Sequence, residues 1–134
     1  MITPEIDLPG YRIRTGCDVV ALGDIEESIE AFGDRFLTRI FTPGELVACR
    51  GPNRLARLAA RFAAKEAAIK AFARPDSAFI PREIEVVTAD FIPVVQLTGS
   101  AARLAAEQRW HQVSVSLTHA DCHAAAVVVA VCTS

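Results

Sequence analysis

Residues 54–73, RLARLAARFAAKEAAIKAFA, decide how the rest of the chain is read. The stretch holds no Gly or Pro and is rich in Ala, Leu, Arg and Lys, so it predicts one long helix. Leu55, Leu58, Ala59, Phe62, Ala63 and Ile69 recur at helical spacing and mark an apolar stripe. Glu66 falls near the middle of that stripe, four residues after Phe62 and three before Ile69. Arg61 and Lys65 lie on one flank and Lys70 on the other. A carboxylate on a core-facing stripe is costly unless a cation meets it. Two readings stand on these residues alone. Either Glu66 is salt-bridged to an arginine or left half wet by rotation of the helix, or it is a metal ligand in a cleft.

Working outward, 134 residues make one domain, enough to bury about two thirds of the unfolded surface. Hydrophobic residues at 51% and charged residues at 22% describe a globular chain. A net charge of −2 gives no global basic excess for nucleic acid or an anionic membrane, so any anion site must be local. The opening MITPEIDLPG is acidic and has no apolar core, unlike a signal peptide. The longest apolar run, Ala124 to Cys132, is far short of the roughly 20 residues that span a bilayer. Cys17, Cys49, Cys122 and Cys132 have no CxxC spacing, and reduced, buried thiols in a cytoplasmic protein are the expectation.

Residues 1–10 carry two prolines and a closing Gly and read as an irregular lead-in, with the domain proper at 11–134. Tyr11 to Leu22 reads as a strand. Gly16 marks a bulge or a close backbone approach. Alternation puts Cys17, Val19 and Ala21 on one face and Gly16, Asp18, Val20 and Leu22 on the other, so Asp18 is a second carboxylate among apolar neighbours. By itself it is equally well a strand-end residue bonded to local backbone. Asp24 predicts a cap for a helix from Ile25 to Phe32, broken by Gly33, and a second short helix follows from Asp34 to Phe41. Thr42-Pro43-Gly44-Glu45 is a capping-box pattern, opening a helix that ends near Arg50. Asn53 is placed to cap the central helix. Arg74-Pro75-Asp76-Ser77 ends it. A strand from Ile80 to Val87 and its return over Val94 to Leu97 predict a hairpin. A helix from Ala101 to about Gln108 precedes strands at Val113 to Leu117 and His123 to Val131. The fold class is α+β, a mostly antiparallel sheet packed against a long central helix.

Asp18, Glu66 and the cations around Glu66 ask for one explanation. Two carboxylates with water filling the remaining positions suit Mg²⁺, which prefers oxygen ligands and substrate phosphates. Arg61, Lys65 and Lys70 would then meet phosphate charge. His119, Asp121, Cys122 and His123 resemble a soft-metal cluster, but in a tight turn such side chains diverge, so zinc is not expected. His119 reads as a turn residue near substrate. Phe62 and Trp110 read most simply as core.

Gly16-Cys17-Asp18-Val19-Val20, Phe41-Thr42-Pro43-Gly44-Glu45, Arg61-Phe62-Ala63-Ala64-Lys65-Glu66-Ala67, Lys70-Ala71-Phe72 and Ser116-Leu117-Thr118-His119 occur in this order. The series resembles the holo-acyl-carrier-protein synthases, the small phosphopantetheinyl transferases, over roughly residues 11 to 132. The resemblance implies a 4′-phosphopantetheinyl transferase-like fold. It also implies Mg²⁺-dependent transfer of 4′-phosphopantetheine from coenzyme A to a serine of apo acyl carrier protein, with release of adenosine 3′,5′-bisphosphate. It implies Asp18 and Glu66 as metal ligands and Lys65 as the residue that neutralises the phosphate or protonates the leaving group. Arg61, Lys65, Lys70, Ser116 and His119 are implied as coenzyme A contacts, and a homotrimer as the assembly, with clefts between subunits. The general base stays open among metal-bound water, Asp18 and Glu66. A non-catalytic relative that binds coenzyme A or a carrier is the alternative.

The sequence departs from the family in three places. Arg74-Pro75-Asp76-Ser77 replaces a Gly-Thr-Gly-like loop, leaving Arg74 as the charge offered there. Glu26, Glu27 and Glu30 occupy a helix face that is often basic, with Arg35 and Arg39 nearby. An acidic carrier would be repelled by that face. The lead-in is also longer than the family needs.

Overall fold

The computed structural model describes residues 6–134. In chain order it forms β1 (Ile6–Leu8), β2 (Tyr11–Ala21), α1 (Leu22–Phe32), α2 (Asp34–Ile40), α3 (Pro43–Ala48) and α4 (Arg54–Phe72). A 3₁₀ turn (Pro81–Glu83) leads into β3 (Ile84–Ala89), β4 (Ile92–Leu97), α5 (Gly99–Glu107), β5 (Trp110–His119) and β6 (His123–Thr133). One antiparallel sheet has the order β1-β2-β6-β5, and β3 and β4 form a separate hairpin. The α+β class read from the sequence is the observed one.

The helix α4 lies across the inner face of the larger sheet because both surfaces are built from small residues. Ala59, Ala63, Ala64, Ala67, Ala68 and Ala71 are buried on the helix, and Ala124, Ala126, Val128 and Ala130 on β6. The closest approach is at Gly16 of β2, where an added Cβ would stand 1.7 Å from the Ala67 carbonyl oxygen. Gly16 therefore marks a close approach, the second of the two expected meanings. The far end of α4 is fastened from β2 and the end of α5. The Phe72 carbonyl accepts from Arg14 Nη1 at 2.8 Å and from Gln108 Nε2 at 2.9 Å, a cation at the negative end of a helix. Trp110 stacks on Phe72 at 4.1 Å, as core.

Several boundaries differ from expectation. Part of the expected lead-in is strand β1, which pairs Ile6 with Ile13 through a turn at Pro9-Gly10; the part before residue 6 lies outside the described residues. Gly10 has φ +82, which lets the chain reverse there. The helix α1 starts at Leu22, so Asp24 sits in its first turn and makes no side-chain cap bond. Asn53 does occupy the cap position of α4, in a left-handed conformation, but its side chain makes no cap bond either. The strand expected from Ile80 begins only at Ile84, since Pro81 opens a 3₁₀ turn. The capping box at Thr42 and Glu45 forms as read. Of the four cysteines, Cys49 and Cys132 are buried as expected, whereas Cys17, on the outer sheet face, and Cys122, in the β5–β6 turn, are exposed; none forms a disulfide among the described residues. Among the described residues no helix is long and apolar enough to cross a membrane.

Candidate active site

The strand β2 presents Asp18 on the same face as Gly16, toward α4, as the alternation required. Because Gly16 brings the backbones into contact at Ala67, Asp18 comes level with the neighbouring turn of α4. Lys70 Nζ donates to Asp18 Oδ1 at 2.9 Å and to the Cys17 carbonyl at 2.9 Å. The bond to Asp18 holds the Lys70 ammonium above its ordinary lysine value. Glu66 is half-buried beside them. Burial pushes its carboxyl up from the ordinary glutamate value; the Asp18 carboxylate pushes it further, and Lys70 opposes. Two carboxylates that repel each other with a single cation partly balancing them leave residual negative charge at a partly open surface.

That residual charge tests whether a hard cation belongs here. Asp18 and Glu66 offer hard oxygen donors of like charge close enough to feel each other, which suits Mg²⁺. Among the described residues no cluster of three or more His, Cys, Asp or Glu is assembled to hold a metal. The remaining ligands of an ion at Asp18 and Glu66 would therefore be water or substrate oxygens, the usual condition of Mg²⁺.

The expected stripe of α4 is displaced. Its centre is the alanine run, while Phe62, Glu66 and Ile69 are half-buried at the rim. Alanine weighs little in a hydrophobicity pattern, yet it lets backbones approach most closely. The flank that bears Arg61 and Lys65 is a second buried face. Lys65 is 1% exposed, and its Nζ donates to Glu45 Oε1 at 2.7 Å, to the Ile84 carbonyl at 2.7 Å and to the Pro81 carbonyl at 3.1 Å. Burial pushes the Lys65 ammonium below its ordinary value, against the pull of the Glu45 carboxylate. The structure does not bring Lys65 to Asp18 and Lys70. Arg61 is also buried; its Nη2 reaches Thr88 Oγ1 at 3.5 Å, and its Nε has no partner among the described residues.

Ser116 and His119 are both exposed on β5 but three residues apart, so they point to opposite faces of the sheet. Ser116 pairs in register with Val127, which pairs with Cys17, and all three look outward from the sheet, away from Asp18. Of the sequence-expected residues, one protomer gathers Asp18, Glu66 and Lys70. It sets Arg61 with Lys65 on the other side of α4, turns Ser116 to the outer face of the sheet, and leaves His119 at the end of β5 on the Asp18 face, two strands away in register with Val20. Glu45 was read only as a capping-box acid. Its role as the partner of Lys65, 20 residues away, left no periodic signal.

An open groove of about 540 Å³ runs past the Phe62 side of α4, one turn before Glu66, lined by Phe32, Arg35, Phe36, Arg39, Phe62 and Phe79 among others. Phe62, read as core, is one of its walls.

The family model of the 4′-phosphopantetheinyl transferase superfamily matches residues 14–132. The chain belongs to that superfamily. A holo-[acyl-carrier-protein] synthase of Dehalococcoides mccartyi is 45% identical over 119 residues, covering 88% of this chain and 98% of its own length. The acyl carrier protein synthase of Mycobacterium tuberculosis is similar in structure, with a TM-score of 0.69 and 37% identity over 87% of this chain and 95% of that one. The Helicobacter pylori holo-[acyl-carrier-protein] synthase, solved in complex with coenzyme A, matches with a TM-score of 0.73 and 27% identity over 87% of this chain and 98% of that one.

Proposed function

We propose that this protein transfers 4′-phosphopantetheine from coenzyme A to a serine of an apo acyl carrier protein, releasing adenosine 3′,5′-bisphosphate. The observation that carries the reading is the convergence of Asp18, Glu66 and Lys70 from β2 and α4, two carboxylates and one accessible ammonium at a half-open surface. A Mg²⁺ held by Asp18 and Glu66 would neutralise the pyrophosphate of coenzyme A. The protein's share is positioning and charge, as phosphoryl transfer demands. Lys70, with 55% of its side chain exposed, is free to exchange one of its two present acceptors for a phosphate oxygen. Arg61, with an unsatisfied Nε, is a second cation able to take phosphate charge. Glu66 holds protons more tightly than an ordinary glutamate and is a candidate to take the serine proton, as are Asp18 and a bound water.

Two further parts of the reading rest on surfaces. The outer face of the larger sheet exposes Ile6, Leu8, Tyr11, Val19 and Val127, an apolar area that self-association would cover. With Ser116 on that face and Asp18 behind it, a site assembled between copies, as in a homotrimer, unites residues one protomer keeps apart. The carrier would dock at the groove between Arg35 and Arg39, which offers charge for an acidic surface and aromatic walls for an apolar one. Glu26, Glu27 and Glu30 are exposed on α1, which weakens binding of strongly acidic carriers. The localisation that goes with this chemistry is the cytoplasm.

The alternative is a binding relative without turnover, favoured by the loop at 74–77, where Ser77 N–H donates to the Arg74 carbonyl in a closed turn in place of a glycine-rich one. Mass spectrometry of fatty-acid and polyketide-type carriers with coenzyme A, with and without Mg²⁺, separates the two. A phosphopantetheine mass gain that needs Mg²⁺ and vanishes in Asp18→Ala is expected. Coenzyme A binding with no adduct on any carrier would leave the binding relative.

A further inference from the structure

We propose that Lys65 and Glu45 are positioning residues, a buried latch that sets the roll of α4 and thereby turns Glu66 toward Asp18. The inference rests on the reading that Asp18 and Glu66 face the substrate. An ammonium has three N–H donors. All three of Lys65 are taken, by Glu45 Oε1, the Pro81 carbonyl and the Ile84 carbonyl. Glu45 is as fully engaged: Oε1 also accepts from Thr42 N at 2.9 Å, and Oε2 from Val86 N at 3.0 Å. The pair ties together the start of α3, the 3₁₀ turn, the first residues of β3 and the middle of α4.

Lys65 and Glu66 are consecutive on a helix, so their side chains leave the axis about 100° apart. Fixing Lys65 against α3 and β3 fixes the direction of Glu66. The contact of Gly16 with Ala67 sets how closely α4 meets β2; Lys70 ties one flank of the helix to β2, and the latch ties the opposite flank to α3 and β3. Conversely, Lys65 has no route to a phosphate without cost. Swinging out would strand a buried carboxylate and bare two carbonyls, and the side chains of Lys65 and Glu45 are 1% and 0% exposed. The phosphate role expected for Lys65 falls instead to Lys70, the exposed ammonium beside Asp18.

The test compares Lys65→Met, Glu45→Gln and the double variant with the unaltered protein, reading kcat with a carrier and, independently of turnover, the coenzyme A Kd by calorimetry. Each variant's folded fraction is measured at the assay temperature. A latch predicts a kcat per folded molecule at least tenfold lower in Lys65→Met, a coenzyme A Kd within threefold, and a double variant no worse than Lys65→Met. A merely structural pair would lower the folded fraction and leave kcat per folded molecule unchanged, which overturns the proposal. A coenzyme A Kd raised tenfold or more in Lys65→Met, with effects that add in the double variant, assigns Lys65 to the phosphate and overturns it as well. Should Lys65→Met fail to fold, Glu45→Gln decides: a lower kcat at unchanged Kd supports the latch, and an unchanged kcat refutes it. If the unaltered protein binds coenzyme A but modifies no carrier, the transfer reading fails. The latch is then judged on how far Mg²⁺ tightens the coenzyme A Kd: a tightening lost in folded Lys65→Met supports it, and one retained in full refutes it.

Discussion

An ideal Cβ at Gly16 would sit 1.7 Å from the Ala67 carbonyl oxygen and 3.0 Å from the Ala71 nitrogen, both backbone atoms that cannot move aside cheaply. Gly16→Ala must push α4 off β2, at a cost of about 3 kcal/mol or more, and move Asp18 away from Glu66. Urea denaturation should show the loss, and kcat per folded molecule should fall with it. At Glu66 the consequence is a pH dependence. Its folded-state pKa is raised, so between the ordinary glutamate value and the raised one the folded protein binds more protons than the unfolded chain. Stability contributed by this residue is therefore present at low pH and falls as pH climbs through that window. Glu66→Gln should raise the melting temperature at pH 7 in a metal chelator and flatten this part of the pH profile, while abolishing transfer. A melting temperature that drops instead would show that Glu66 is held by attraction. Asp90 and Phe91, the two tip residues of the β3–β4 hairpin, have φ of +49° and +67°. Phe91 is 98% exposed and gains nothing from burial. Phe91→Gly should stabilise the protein by about 1 kcal/mol, since a bulky residue pays for the left-handed conformation that Gly adopts freely.

Among the elements, α3 is short and owes its place to its ends. Thr42 accepts from Glu45 N at 3.1 Å and also donates from its hydroxyl to Glu85. Thr42→Ala should cost about 1–2 kcal/mol by thermal or chemical denaturation, a capping loss joined to an unpaired Glu85. The element whose face was misjudged is α4. Its Leu, Phe and Ile positions suggested a stripe with Glu66 at the centre, and the alanines between them carry the contact with the sheet. That shift places Glu66 at the rim, where a carboxylate can be both desolvated and reached by substrate. It also turns a flank bearing Arg61 and Lys65 into an interior that needs the Glu45 carboxylate.

For the whole molecule, the uncovered sheet face and the separation of Ser116 from Asp18 point the same way. Val127→Asp places a charge in the middle of that face, beside Cys17 and Ser116 in the register. Light scattering at micromolar concentration should show a loss of assembly, and transfer should fall at least tenfold although Val127 touches none of Asp18, Glu66 and Lys70. Intact trimers with full activity in this variant would remove the sheet face from the interface. Arg35→Glu with Arg39→Glu should raise the KM for the carrier about tenfold and leave the KM for coenzyme A unchanged, because both arginines stand on α2, outside the cluster of Asp18, Glu66 and Lys70.

The sequence by itself determined the local matters: the helix at 54–72, the capping box at Thr42, the break at Gly33, the alternation that turns Asp18 inward with Gly16, and the family to which these motifs belong. Each depends on residues within a few positions of one another, so propensity and period expose it. Tertiary structure alone decided which flank of α4 is interior, that Lys65 belongs to Glu45, and that Ser116 and Asp18 look out of opposite faces of one sheet. Those outcomes depend on what packs against a surface. A side chain's partner 20 or more residues away leaves no mark on its neighbours in the chain.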